Sequence, residues 1–278
     1  MRRKRVCGHI RRSGKRETWQ VRVRRERPSG LSWAVALMIA MVMVYIVTLS
    51  VDDEQAEDVF AGPKVIREMS LAGLEMHMVS LCRCTSSGEA RLMAAGYTGR
   101  GGAGYIYQNS DGYHVLGAAC PEKRDALRIA ERLAGESGVE AQVVTCTAPE
   151  IDMRITAPEV QVQAIADADA LLREQATHLG ILAAQVDKSE VTQGTVETLC
   201  AVAATKAGAS AKILRTIQGG EENVLCSGLV VRLDALEESL NAVAGSARRD
   251  AAALSGMLRC AQIDTFLGLA SLQNSLAG

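Results

Sequence analysis

Three of the chain's five tyrosines, Tyr105, Tyr107 and Tyr113, sit in one short stretch of an otherwise aromatic-poor sequence. A phenol ring combines flat apolar area with a polar edge, which suits packing on sugar rings while hydrogen-bonding them. Strand alternation puts Tyr105 and Tyr107 on one face and Ile106 on the other. Tyrosine also favours strands for packing reasons alone, so both readings stay open at the level of the residues. The remaining reactive side chains are eight cysteines and four histidines. Cys82, Cys84, Cys120 and Cys146 surround the tyrosines; Cys7 precedes them, and Cys200, Cys226 and Cys260 follow. Their spacing fits no zinc ribbon. No Cys–His pair shares a local motif, no His-Glu-x-x-His occurs, and no carboxylate pair can be assigned to a cleft. Neither catalysis nor a metal or cofactor is predicted. The glycine run at 99–104 lacks the Lys-Ser/Thr of a phosphate loop and precedes a strand, so it reads as a strand entry.

The elements that must position the tyrosines can be named in order. Glu75–Leu81 reads as a strand. Ser86-Ser-Gly-Glu89 is a capping box, and the helix it opens carries Ala90, Met93, Ala94 and Tyr97 on one face. Gly104–Gln108 is a strand, Asn109-Ser-Asp-Gly112 a hairpin turn and Tyr113–Ala119 the partner strand. Pro121 supplies a helix N1 residue, Glu122–Ala134 turns Ala126, Ile129, Ala130 and Leu133 inward, and Gly135 caps it. Glu140–Thr147 is the last strand. The order is βαββαβ, an α+β split-βαβ (RNP/ferredoxin-like) unit with two helices on one sheet face and the other face open. The expected strand order is 4-1-3-2, with strands 1 and 3 parallel. Cys82, Cys84 and Cys120 then leave the sheet at one end and Cys146 at the other. That arrangement suits a disulfide from Cys82 or Cys84 to Cys120, with buried free thiols as the alternative.

The segments Arg100-Gly-Gly-Ala-Gly-Tyr-Ile-Tyr107, DGYHVLGAAC at 111–120 and PEKRDALRIAERL at 121–133 together resemble a SPOR domain, a sporulation- and division-associated module that binds bacterial peptidoglycan. The resemblance covers residues 74–148, about a quarter of the chain. It implies that glycan is gripped on the sheet face and its rim. By position it adds Ser80, Arg83 and His114 to Tyr105, Tyr107 and Tyr113 as ligand-binding residues. Members commonly have a cytoplasmic N-terminus, one membrane span and an extracytoplasmic SPOR domain, usually at the C-terminus; here a long segment follows it. The split order is shared with RNA-recognition domains, but their aromatic RNP1 pattern is absent and the surroundings are acidic, so no nucleic acid is expected.

That following segment, 158–278, is Ala-rich and helical in pattern. Ile165, Leu172, Ala176, Leu179, Ala183 and Val186 form one seam, and Leu225, Leu229, Leu233, Leu236, Leu240 and Val243 another. Breaks at 187–189, 219–220 and 245–246 give four helices, a bundle or a coiled coil through which the chain could form a homo-oligomer. The di-iron Glu-x-x-His pattern is absent.

Charge completes the organisation. Residues 1–30 carry twelve Lys/Arg and two Glu, a balance of +10, while the remaining 19 basic and 30 acidic residues sum to −11. Between them Pro28–Val51 is uncharged, and 31–50 is long enough to span a bilayer. The basic flank predicts a cytoplasmic tail (1–30), a single-pass transmembrane helix (31–50), an acidic linker (51–73) and an extracytoplasmic remainder. A cleavable signal peptide is disfavoured because the apolar run is too long and ends without a small-x-small site. The sequence thus predicts a non-enzymatic cell-membrane protein that binds peptidoglycan glycan strands in division or sporulation. The alternative is a membrane-anchored structural scaffold whose small domain binds protein.

Overall fold

The structure, a computed structural model, describes residues 63–218, 223–245 and 250–277. The expected tail, the expected membrane helix and the start of the expected linker lie outside the described residues. Among the described residues, no helix is long and apolar enough to cross a membrane.

The order is β1 (Lys64–Leu71), β2 (Leu74–Cys84), α1 (Ser87–Thr98), β3 (Tyr105–Asn109), β4 (Gly112–Cys120), α2 (Lys123–Ser137), β5 (Gln142–Ala148), β6 (Ile151–Pro158), α3 (Glu159–Asp187), α4 (Gln193–Gln218), α5 (Val224–Ala244) and α6 (Ala251–Ala277). A four-stranded sheet runs β3-β4-β2-β5 with every neighbouring pair antiparallel. The expected spatial order holds. The expected parallel pairing of the two central strands, β2 and β4, does not. The α1 crossover makes β3 parallel to β2, and the 109–112 hairpin then reverses β4, so β4 must oppose β2.

Local chemistry explains the joints. Ser86 caps α1 by accepting from the Glu89 amide at 3.2 Å, and Glu89 accepts in return from the Thr85 amide at 3.2 Å. The inward stripe of α1 is narrower than expected: Ala90 and Ala94 are buried, whereas Met93 is 39% exposed. Helix α2 starts two residues beyond Pro121. It runs past Gly135 to Gly138, whose left-handed φ of 64° stops it.

Four findings correct the expected fold. First, residues 64–71 are not linker. They form β1, which pairs antiparallel with β6 as a two-stranded ribbon. The ribbon prolongs the β2–β5 ladder: the last rung is Leu74↔Ala148 and the next is Leu71↔Ile151. Second, the strand–helix order is therefore ββαββαββ followed by four helices, which is not that of the expected SPOR-type unit. Third, no sheet face is left open. Helices α1 and α2 cover one, and α6 lies across the other, with Ile263, Phe266 and Ala270 packed on Met76, Met78 and Leu116. Fourth, the helices are not a separate region, because α6 belongs at once to the bundle core and to the sheet core.

The expected seams of α3 and α5 are buried throughout. Helix α6 differs because it is buried on nearly all sides, including Ser255, Gln262, Thr265 and Gln273. A helix apolar all round must be enclosed, and the sheet supplies the missing wall.

Candidate functional site

A β-bulge decides where the candidate ligand residues point. The β2–β4 register passes from Ser80↔Leu116 to Cys82↔Val115, leaving Leu81 as the extra residue. Leu81 and Cys82 both turn toward the α1/α2 side, where Leu81 packs with Ala126 and Ala130, and Cys82 with Ala90 and Ala94. Residues directly opposite in antiparallel strands share a face. The pairs Tyr105↔Leu116, Tyr107↔His114, Arg83↔His114 and Ser80↔Leu116 therefore bring Tyr105, Tyr107, Ser80, Arg83 and His114 to one face. Tyr113 is on the other, packed with Cys84 and Val115 under α1.

That shared face is the one α6 covers. Tyr105 donates its hydroxyl hydrogen to Asp264 Oδ1 of α6 at 3.2 Å. Burial, followed by the Asp264 charge, pushes its pKa up to about 12. Tyr107 reaches Cys146 in the same cluster, and burial raises its pKa as well. Ser80 and His114 are 2% and 3% exposed. Ser80 donates to the Cys82 carbonyl at 3.1 Å, which leaves its oxygen to accept from His114 Nδ1 at 3.1 Å. Nε2 of His114 is then buried without a hydrogen-bond partner among the described residues. Burial lowers the histidine's pKa and so disfavours its charged form. Arg83 alone of the five is exposed, at the hairpin end of the sheet, with half-buried Tyr107 two strands away on the other side of His114.

Antiparallel pairing also overturns the expected disulfide. Cys82 and Cys84 lie opposite Val115 and Tyr113, at the hairpin end, whereas Cys120 lies opposite His77 and Cys146 opposite Met76, at the far end. All seven described cysteines are free thiols. Cys82 Sγ is instead 3.8 Å from Cys84 Sγ. Burial and that neighbour push the Cys82 pKa up to about 11.

The sequence did not reveal a cavity of about 310 Å³ on the other side of the sheet. Its floor is Val79, Leu81, Gly117 and Ala118, and one wall is Ile129 and Leu133 of α2. Arg100, Arg132 and Arg259 converge on it from the α1–β3 loop, α2 and α6, together with Asp187 at the end of α3. Arg259 is fixed: it donates to the Gly101 carbonyl at 2.7 Å and pairs with Asp187. The glycine run makes this closeness possible. Gly101 has φ +87°, and a Cβ on Gly256 of α6 would stand 2.8 Å from the Gly102 carbonyl oxygen. The only sequence signal was that run; the three arginines are too far apart in the chain to form a motif.

A second groove of about 330 Å³ lies between α3 and α4 and is lined by Leu179, Leu182, Ala203 and the exposed Ile181, Leu199 and Val202. Comparison with protein-family models, with curated proteins and with solved structures finds no match to this chain.

Proposed function

We propose that this chain is a membrane-tethered, non-catalytic binding protein of the bacterial envelope that grips cell-wall glycan strands and so localises to wall material at division or sporulation sites. The +10 arm, the uncharged 24-residue run and the −11 remainder support the tether and its orientation. One observation carries the contact surface. Of the five residues that share the candidate face, Ser80, His114 and Tyr105 are engaged inside the body and Tyr107 is half-buried toward Cys146, while Arg83 stays exposed at the hairpin end, across His114 from Tyr107. The grip is therefore a rim contact. The Tyr107 ring offers a platform for a sugar face, and the Arg83 guanidinium offers donors to its hydroxyls and carboxylates. The acidic body gives no general attraction to anionic wall polymers, so recognition rests on this local chemistry.

The test is co-sedimentation of the detergent-solubilised full chain with purified sacculi. Retention well above a control protein, lost in the Arg83→Ala/Tyr107→Ala double variant, supports the reading; retention equal to the control sinks it. A second reading, a tethered scaffold that docks protein, draws on the α3–α4 groove with its exposed Ile181, Leu199 and Val202. Loss of a co-purifying partner from an Ile181→Asp/Val202→Asp variant with unchanged sacculus binding would favour it.

A further inference from the structure

We infer that the cavity between the sheet, α2, the glycine loop and α6 is a receptor for a small organic anion: one carboxylate or phosphate carried on a compact apolar body. The floor and one wall are apolar, formed by Val79, Leu81, Ala118, Ile129 and Leu133. Gly117 lines the floor where even a Cβ would sit 2.7 Å from the Leu81 side chain, so Leu81 packs directly against the bare backbone there. The rim is cationic. Arg259 is locked between the Gly101 carbonyl and Asp187, whereas Arg100 and Arg132 have no ion-pair partner among the described side chains. Three guanidiniums against one carboxylate leave two unbalanced positive charges beside an apolar floor, within a chain whose residues after 30 sum to −11. A bound anion offsets that repulsion, and a guanidinium fork matches carboxylate and phosphate oxygens.

The lining also states what is refused. Its polar side chains are Tyr97, Asp187 and the three arginines, with no Ser, Thr, Asn or Gln, and that cationic excess favours an anion over a neutral sugar. This site is therefore separate from the glycan rim and does not rest on that reading. A volume of about 310 Å³ is at the small end for ligand cavities. It suits a short alkyl chain or one ring bearing an acid group.

Isothermal titration of the full chain in nanodiscs, against empty nanodiscs, tests this with four probes: octanoate, octyl phosphate, octanol and inorganic phosphate. Saturable binding of octanoate or octyl phosphate at one site per chain is expected, and the tighter of the two identifies the head group. Arg100→Gln/Arg132→Gln should weaken it by about tenfold or more without lowering the melting temperature. Ala118→Leu, which fills the floor, should also weaken it. The proposal is overturned if no probe binds, if octanol or bare phosphate binds as tightly as the amphiphilic anions, or if the arginine variant keeps full affinity. Sacculus co-sedimentation of that variant should be unchanged, which separates failure here from failure of the glycan reading.

Discussion

Tyr105 on β3 and Asp264 on α6, 159 residues apart, are joined by a 3.2 Å hydrogen bond across the face of the sheet. This bond lies beside the apolar contacts of Ile263 and Phe266 and adds a directional link between the sheet and α6. Tyr105→Phe should cost about 1–2 kcal/mol, because the acceptor is charged and half-buried. Asp264→Ala combined with it should add little, since both remove the same bond. Strict additivity in a double-mutant cycle of denaturant unfolding would mean that the bond is absent in solution.

The same residue sets a limit at alkaline pH. Burial and Asp264 raise its folded pKa to about 12, above the ordinary value of 10.0. The protonated phenol is thus favoured by folding. Its stabilisation is complete below pH 10 and drains away as pH rises toward 12. Absorbance titration of tyrosinate should show late phenols, of which the one near pH 12 is missing in Tyr105→Phe.

Sheet and bundle should melt together. Phe266 is 2% exposed and packs in the cluster shared by sheet and α6. Phe266→Ala should therefore cost about 3–5 kcal/mol and lower one common transition. Near-ultraviolet and far-ultraviolet circular dichroism should give coincident curves; two separated transitions would show that the helices are an independent unit.

Two glycines make a matched pair of opposite sign. Gly256→Ala drives a methyl to 2.8 Å from the Gly102 backbone oxygen and should destabilise by about 1–3 kcal/mol. Gly135, inside α2 with nothing within 4 Å of its missing Cβ, should tolerate Ala and gain up to about 1 kcal/mol. Chemical denaturation of both variants decides it.

His114 should make the protein acid-sensitive. Burial lowers its pKa below the ordinary 6.5. The unfolded chain then binds a proton that the folded chain resists, so stability is present above pH 6.5 and falls as pH drops below it. The slope of melting temperature against pH in that range should flatten in His114→Gln.

What could be read from the sequence was what repeats locally. The seams of α3 and α5, the three helix breaks, the Ser86 cap and the 109–112 hairpin all follow from periodicity and turn chemistry within a few residues. What could not be read depends on distant chain. β1 alternates weakly, with Ile66 65% exposed, and is a strand only because β6, some eighty residues later, pairs with it. Helix α6 shows no polar stripe, which forecasts enclosure but not by what. The antiparallel sense of β2 and β4 is an exception: it follows from the local crossover and hairpin and was open to the sequence, and the expected cysteine pairing fails on it. Tyr105 and Tyr107 share a face as alternation requires, yet alternation is silent on what lies above that face. The arginine cavity draws on segments around 100, 132 and 259, and no spacing rule connects them.

The ribbon of β1 and β6 sets how the body answers tension. Its outermost rung is Lys64↔Pro158, clamped nearby by the two 2.9 Å contacts between Arg67 and Glu159. A pull arriving through the residues before Lys64 meets that rung first and must break the ladder one pair at a time toward Leu71. Only when the ribbon is spent does load reach Ala72, whose carbonyl is tied at 3.0 Å to Gln273 of α6. The eight paired residues of β1 thus yield length under force, and the last of them, Leu71, 2% exposed in the bundle core with Met69 packed against it, ties the end of that unzipping to the opening of the core.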